Sequence, residues 1–253
     1  MPRLPLILDH RSPSVVVPLT GATPAELEAG VAALRGAPCD PDPFDLVEWR
    51  VDHYTPFTAA ADPAAAVEAL GKLTAALPQV PVLATFRTSA EGGAAELGAE
   101  AYAALVTALA ASGLADAVDV EYRHPHADEA IAAAHAHGTP VVASNHDFHG
   151  TPPREEIVAR LAAMESAGAD VAKIAVMPRS AADVVTLLDA TERRHRDAGI
   201  PLVTMAMGSL GAVTRIGGGV FGSAATFATV GEASAPGQLP AVGVRAALDL
   251  LGS

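Results

Sequence analysis

Short apolar runs alternate with longer, amphipathic, alanine-rich segments along nearly the whole chain, the pattern of strand and helix units around a parallel sheet. Eight runs predict strands: Ser14–Leu19, Phe44–Arg50, Val80–Phe86, Ala117–Glu121, Pro140–Ser144, Val171–Val176, Pro201–Ala206 and Ala224–Thr229. Eight strands separated by helices predict an α/β protein with a closed (β/α)8 barrel. A six-stranded doubly wound sheet is the alternative, and it requires two of these runs not to be strands. Leu4–Leu8, followed by Ser12-Pro13, predicts a short extra strand or hairpin closing the N-terminal mouth of the barrel.

Helix signals fall between the strands. Thr151-Pro152-Pro153-Arg154-Glu155-Glu156 supplies a cap, an early proline and an acidic first turn, with Ile157, Leu161 and Met164 on one face and Gly168 as the stop. Ser180-Ala181-Ala182-Asp183 opens a second helix, turning Val184, Leu187 and Leu188 to the sheet. Val244, Leu248 and Leu251 form a last stripe. Nothing reads as an interdomain linker, so residues 1–253 are expected to form one barrel domain.

Composition narrows the function more than the fold. Sixteen Lys and Arg face 29 Asp and Glu, and a net charge of −13 opposes nucleic acid and anionic membranes as partners. An anionic small molecule remains compatible with a locally basic pocket. Cys39 is the only cysteine, so no intrachain disulfide can form, which fits a reducing compartment. The N-terminal apolar run is too short for a signal peptide or a membrane span, and a cytoplasmic protein is expected.

The candidate chemistry lies where strands end, the place barrel folds reserve for reactive groups. Lys173 sits in the middle of the sixth strand, Val171-Ala172-Lys173-Ile174-Ala175-Val176. A lysine there is desolvated unless paired or neutral, which leaves a salt-bridged lysine and a Schiff-base lysine both open. Apolar neighbours Ile174, Val176 and Met205, with nearby arginines, would favour the neutral amine. Alternation puts Glu48 and Arg50 on one side of the second strand and Trp49 on the other. Arg50, Arg87 and Arg215 together would line a cationic pocket for an oxygen-rich anion, with a structural ion pair as the other reading of Glu48 and Arg50. His146, in Ser144-Asn145-His146-Asp147, suits proton transfer better than metal ligation, since adjacent residues cannot easily share one ion and no H-E-x-x-H occurs. The glycine-rich stretch Met207–Ser223 reads equally as a phosphate cradle or as mobility or close helix packing.

Taken together, Glu48-Trp49-Arg50-Val51-Asp52, Thr85-Phe86-Arg87 with Glu91-Gly92-Gly93, Ser144-Asn145-His146-Asp147-Phe148-His149, Lys173-Ile174-Ala175-Val176-Met177-Pro178 and Ala233-Ser234-Ala235-Pro236-Gly237-Gln238 resemble the type I 3-dehydroquinate dehydratases, in the right order from about Val15 to the last helix. The resemblance implies dehydration of 3-dehydroquinate to 3-dehydroshikimate, in the shikimate pathway of aromatic amino acid biosynthesis, by a homodimer using neither metal nor organic cofactor. It implies Lys173 as Schiff-base nucleophile, His146 as general acid and base, and Glu91 as its orienting carboxylate. It implies Glu48, Arg50 and Arg87 at the ring hydroxyls, Arg215, Ser234 and Gln238 as carboxylate clamp and lid, and Met205 and Phe227, with Met207, as pocket wall. The chain departs from the family at Pro18, where members carry a small hydroxyl residue that here recurs only as Thr20, and at Ala90, where some relatives place a lysine before the glutamate.

Two other functions are weighed against this. A Schiff-base aldolase or transaldolase of a phosphorylated sugar would account for Lys173 and the glycines, but not for the histidine motif or the Ser234–Gln238 loop. A non-catalytic barrel that merely binds a polyhydroxy acid would have no need of an intact Lys173 and His146.

Overall fold

The computed structural model describes residues 8–36, 43–231 and 237–252. The elements run in order β1 (Ser14–Leu19), α1 (Pro24–Arg35), β2 (Leu46–Arg50), α2 (Thr55–Thr58), α3 (Pro63–Ala76), β3 (Val82–Thr85), α4 (Ala99–Ala111), β4 (Ala117–Glu121), α5 (Ala127–Ala136), β5 (Val141–Asp147), α6 (Arg154–Ser166), β6 (Val171–Val176), α7 (Ala181–His195), β7 (Leu202–Ala206), α8 (Ala212–Gly217), β8 (Ala225–Thr229), β9 (Leu239–Pro240) and α9 (Ala241–Leu251). Hydrogen-bonded strand order is β7-β6-β5-β4-β3-β2-β1-β8-β9. A bridge between Leu202 and Ser223 links β7 to the residues entering β8. All eight predicted strands form, and the fold is of the (β/α)8 barrel class rather than the six-stranded alternative. β9 was not expected; it pairs in parallel with the end of β8 through Ala228 and Leu239. Of the predicted N-terminal strand, all but Leu8 lies outside the described residues, and residues 9–12 form an isolated antiparallel bridge, Asp9 to Ser12.

Contacts among the described residues divide the protein into two compact units, the first built from residues 18–36 and 46–143 and the second from 8–17, 43–45, 144–231 and 237–252. In the first, β2, β3 and β4 run parallel, with Glu48 opposite Leu83 and Leu83 opposite Ala117. Their helix-facing side is aromatic: Phe57, Phe86 and Tyr102 meet edge to face at 5.8 and 6.2 Å, and Trp49 is fully buried against Tyr54. A polar residue seats the foot of β3, where Val82 donates its N–H to the buried Asp116 carboxylate at 2.9 Å.

In the second unit β6 pairs with β7, Lys173 opposite Val203 and Ala175 opposite Met205, while β8 pairs with β1, Phe227 opposite Val16. The capping box expected at Ser180 and Asp183 starts α7. By contrast Pro153 caps α6 with no side-chain hydrogen bond, and Thr151 does not serve as its cap. Ile157, Leu161 and Met164 are buried as expected, but Arg160 shares their face. On α7, Ala190, Thr191 and Arg194 complete the buried stripe and Leu188 lies only half inside; on α9, Leu251 is exposed because the helix ends there at Gly252. Within Met207–Ser223, Gly211, Gly219 and Gly222 sit in close packing: a Cβ on Gly211 would lie 2.0 Å from the carbonyl oxygen of Ala206.

Candidate active site

In the first unit the ends of β2, β3 and β4 gather charge. Glu48, buried on β2, accepts a hydrogen bond from Thr85 Oγ1 at 3.1 Å. Arg50, two residues on, grips Asp52 bidentately, Nε to Oδ1 at 2.8 Å and NH2 to Oδ2 at 2.7 Å. Burial pushes the Asp52 carboxyl up, yet the hydrogen bond and charge of Arg50 and the N–H of Ala94 hold it below the ordinary carboxylate range. Arg50 thus forms an ion pair with Asp52 in the turn that follows β2.

Arg87, at the end of β3, is buried among carboxylates, with NH2 2.7 Å from Asp119 Oδ1 and NH1 3.0 Å from Glu121 Oε1 and 3.6 Å from Glu91 Oε2. Burial alone would lower its basicity, but Asp119, Glu121 and Glu91 raise it well above the usual arginine value. Its charge is thus offset locally, so the expectation of a plainly cationic lining does not hold at Arg87. Glu91 ends a short 3-10 turn, Ser89–Glu91, and is itself buried. Asp119 and Glu121 stand two apart on β4 and so share a face, the signal in the sequence that could have paired them with Arg87.

In the second unit Lys173 is buried in mid β6, with Nζ 4.3 Å from the centroid of the Phe227 ring. Register places Val203 and Met205 of β7 on its side of the sheet. Ile174 and Val176, expected as its neighbours, alternate to the opposite face. Arg215 on α8 is buried and donates from NH1 to the carbonyl of Phe227 at 3.1 Å; burial pushes its guanidinium down to about 10. A bound carboxylate would offset that desolvation.

His146 lies on β5, which runs to Asp147 rather than stopping at Ser144, and it is half-buried. Its two neighbours are held from α6: Arg160 NH1 donates to Asn145 Oδ1 at 2.9 Å and lies 3.3 Å from Asp147 Oδ2. Met177 N donates to the carbonyls of Asp147 and Gly150, joining the end of β6 to the loop after β5. Met205, Met207 and Phe227 are buried, and Gln238 is half-buried just before β9. Ser234 and Cys39 lie outside the described residues. Pro18 is half-buried within β1. Among the described residues no cluster of three or more His, Cys, Asp or Glu is arranged to hold a metal ion, and no helix is long and apolar enough to cross a membrane.

The chain matches the model of the type I 3-dehydroquinase family over residues 15–253. It is 46% identical over 242 residues to the 3-dehydroquinate dehydratase of Listeria monocytogenes, covering 95% of this chain and 93% of that one. The crystal structure of the 3-dehydroquinate dehydratase from Geobacillus kaustophilus aligns with a TM-score of 0.89 at 35% identity, over 99% of this chain and 98% of that one. A type I 3-dehydroquinate dehydratase from Clostridium difficile, solved with covalently modified comenic acid, aligns at 0.87 and 36%, over 95% and 92% of the two chains.

Proposed function

This chain belongs to the type I 3-dehydroquinase family, and from that premise we propose that it dehydrates 3-dehydroquinate to 3-dehydroshikimate through an imine on Lys173, as a step of the shikimate pathway. The observation that carries the reading is Lys173 itself, an amine buried in mid-strand beneath an aromatic face. That setting suits a nitrogen that must persist as an iminium cation during the reaction.

Lys173 Nζ adds to the C3 ketone, and the carbinolamine loses water to give the iminium. This electron sink acidifies C2, and His146 removes a C2 proton to leave an enamine. The enamine expels the C1 hydroxyl, which leaves as water on taking a proton from His146. Addition of water to the conjugated iminium then releases 3-dehydroshikimate and the free lysine, so the net change is loss of one water. Glu91 orients the histidine. Glu48, Arg50 and Arg87 hold the ring hydroxyls, and Arg215, with Ser234 and Gln238, clamps the carboxylate. Met205 and Phe227 wall the pocket. The polar strand ends and the lysine together require no metal or organic cofactor for these steps. We further read the enzyme as a cytoplasmic homodimer, on the family resemblance and the single cysteine.

Borohydride added with 3-dehydroquinate is expected to inactivate the protein and leave a reduced adduct on Lys173, detected by peptide mass spectrometry, and Lys173→Ala removes it. Turnover of 3-dehydroquinate with no adduct sinks the imine mechanism, and absence of turnover sinks the substrate.

A further inference from the structure

We infer that Asp52 and Glu121 are positioning residues for the reaction, two buried carboxylates that clamp the turn from Arg87 to Ala94 and thereby fix Glu91. The inference rests on the proposed role of Glu91 in orienting the histidine.

Asp52 ties the two ends of the turn together. Its Oδ1 accepts from the backbone N–H of Arg87 at 3.2 Å and its Oδ2 from that of Ala94 at 2.9 Å, while the same two oxygens receive the Arg50 fork. Glu121 ties the first loop residue to β4: Oε1 accepts from Thr88 N at 2.8 Å and Oε2 from Thr88 Oγ1 at 2.7 Å, with Arg87 NH1 also on Oε1. Glu121 is itself seated, its backbone N–H donating to Tyr102 OH at 2.9 Å.

The path between the clamps leaves little slack. Thr88 O accepts from both Glu91 N and Gly93 N, and a Cβ on Gly93 would fall 1.8 Å from the Arg87 carbonyl oxygen. The turn thus folds back onto its own start, and only glycine permits the crossing. Three backbone amides, those of Arg87, Thr88 and Ala94, end on side-chain carboxylates. Charge-assisted bonds of this kind are stronger than neutral ones and impose geometry. Glu91 approaches a region already holding Asp119 and Glu121 around one arginine, so like-charge repulsion would displace it from a slack loop. Displacement by about 1 Å can lower a rate 100-fold.

The test is steady-state kinetics of Asp52→Asn, Glu121→Gln and Thr88→Val, each alone and combined with Glu91→Gln, with borohydride trapping on every protein. Asp52→Asn and Glu121→Gln are expected to lower kcat about 10- to 100-fold. Thr88→Val loses one hydroxyl bond at nearly constant shape and is expected to lower kcat about 3- to 10-fold, with KM within about twofold. All three still form the Lys173 adduct. Combined with Glu91→Gln, each adds little further loss, because the clamp acts through that carboxylate. Full additivity with Glu91→Gln, or wild-type kcat in both Thr88→Val and Glu121→Gln, overturns the inference while leaving the dehydratase reading intact. A wild-type protein that neither turns over nor is trapped removes the dehydratase reading instead.

Discussion

The Phe227 ring face lies against Lys173 Nζ, so the proposed iminium would meet the negative side of a π system. Such a contact is worth roughly 0.5–2 kcal/mol. Phe227→Leu keeps the pocket apolar and removes the quadrupole, so kcat is expected to fall about 2- to 30-fold with KM little changed. A change confined to KM would make the ring a passive wall. Asp52 offers a second measurement at this scale. Its folded pKa lies below the unfolded value of about 3.9, so its contribution to stability is present above that pH and is lost as the pH falls through the folded value. Urea titrations at pH 5 and pH 3 are expected to show a smaller loss of stability on acidification for Asp52→Asn than for the wild type; equal losses would mean that the carboxyl is not held low by Arg50. Candidate residues could be picked out here without coordinates, since Lys173 stands out as a charge in an apolar run, His146 as a titratable group at a strand end and Arg215 as a cation in a glycine-rich stretch. Partners were not. Asp52 closes the Glu48–Asp52 motif and gained its role only when Arg50 was seen to turn toward it.

At the level of elements, β5 and α6 act as a pair. Alternation along β5 sends Asn145 and Asp147 to one side and His146 to the other, and Arg160 of α6 takes hold of the first two. Arg160→Met fills much of the same volume without the fork, and is expected to lower kcat about tenfold while the Lys173 adduct still forms. Unchanged kcat would reduce α6 to a cover for the strand. The eight strands were legible because a buried parallel strand is an unbroken apolar run. The extension of β5 to Asp147 was not, because Asn145, His146 and Asp147 are polar and their ladder is set by neighbours. β9 was missed for a related reason: two residues carry no periodicity, and Leu239 is a strand residue only beside Ala228.

For the molecule as a whole, the net charge of −13 stands against the proposed anionic substrate. Long-range repulsion is screened as salt rises toward physiological strength, so KM for 3-dehydroquinate is expected to fall between about 10 mM and 150 mM salt. A KM that climbs steadily over that range would mean that the arginines dominate the field at the site. The sequence by itself determined the fold class, the order of strands and helices, and which residue types meet at strand ends, because burial writes a period of 2 or 3.6 into any chain that folds this way. Only the tertiary structure decided which charges pair. Arg87 reaches Asp119 across 32 positions and Glu121 across 34, and Asp52 reaches Ala94 across 42. Coulomb and hydrogen-bond energies depend on separation in space, which local pattern does not encode. A row of arginines that read as open cations thus includes one already embedded among three carboxylates, and the turn carrying Glu91 is hydrogen-bonded to Asp52 in the turn after β2 and to Glu121 on β4.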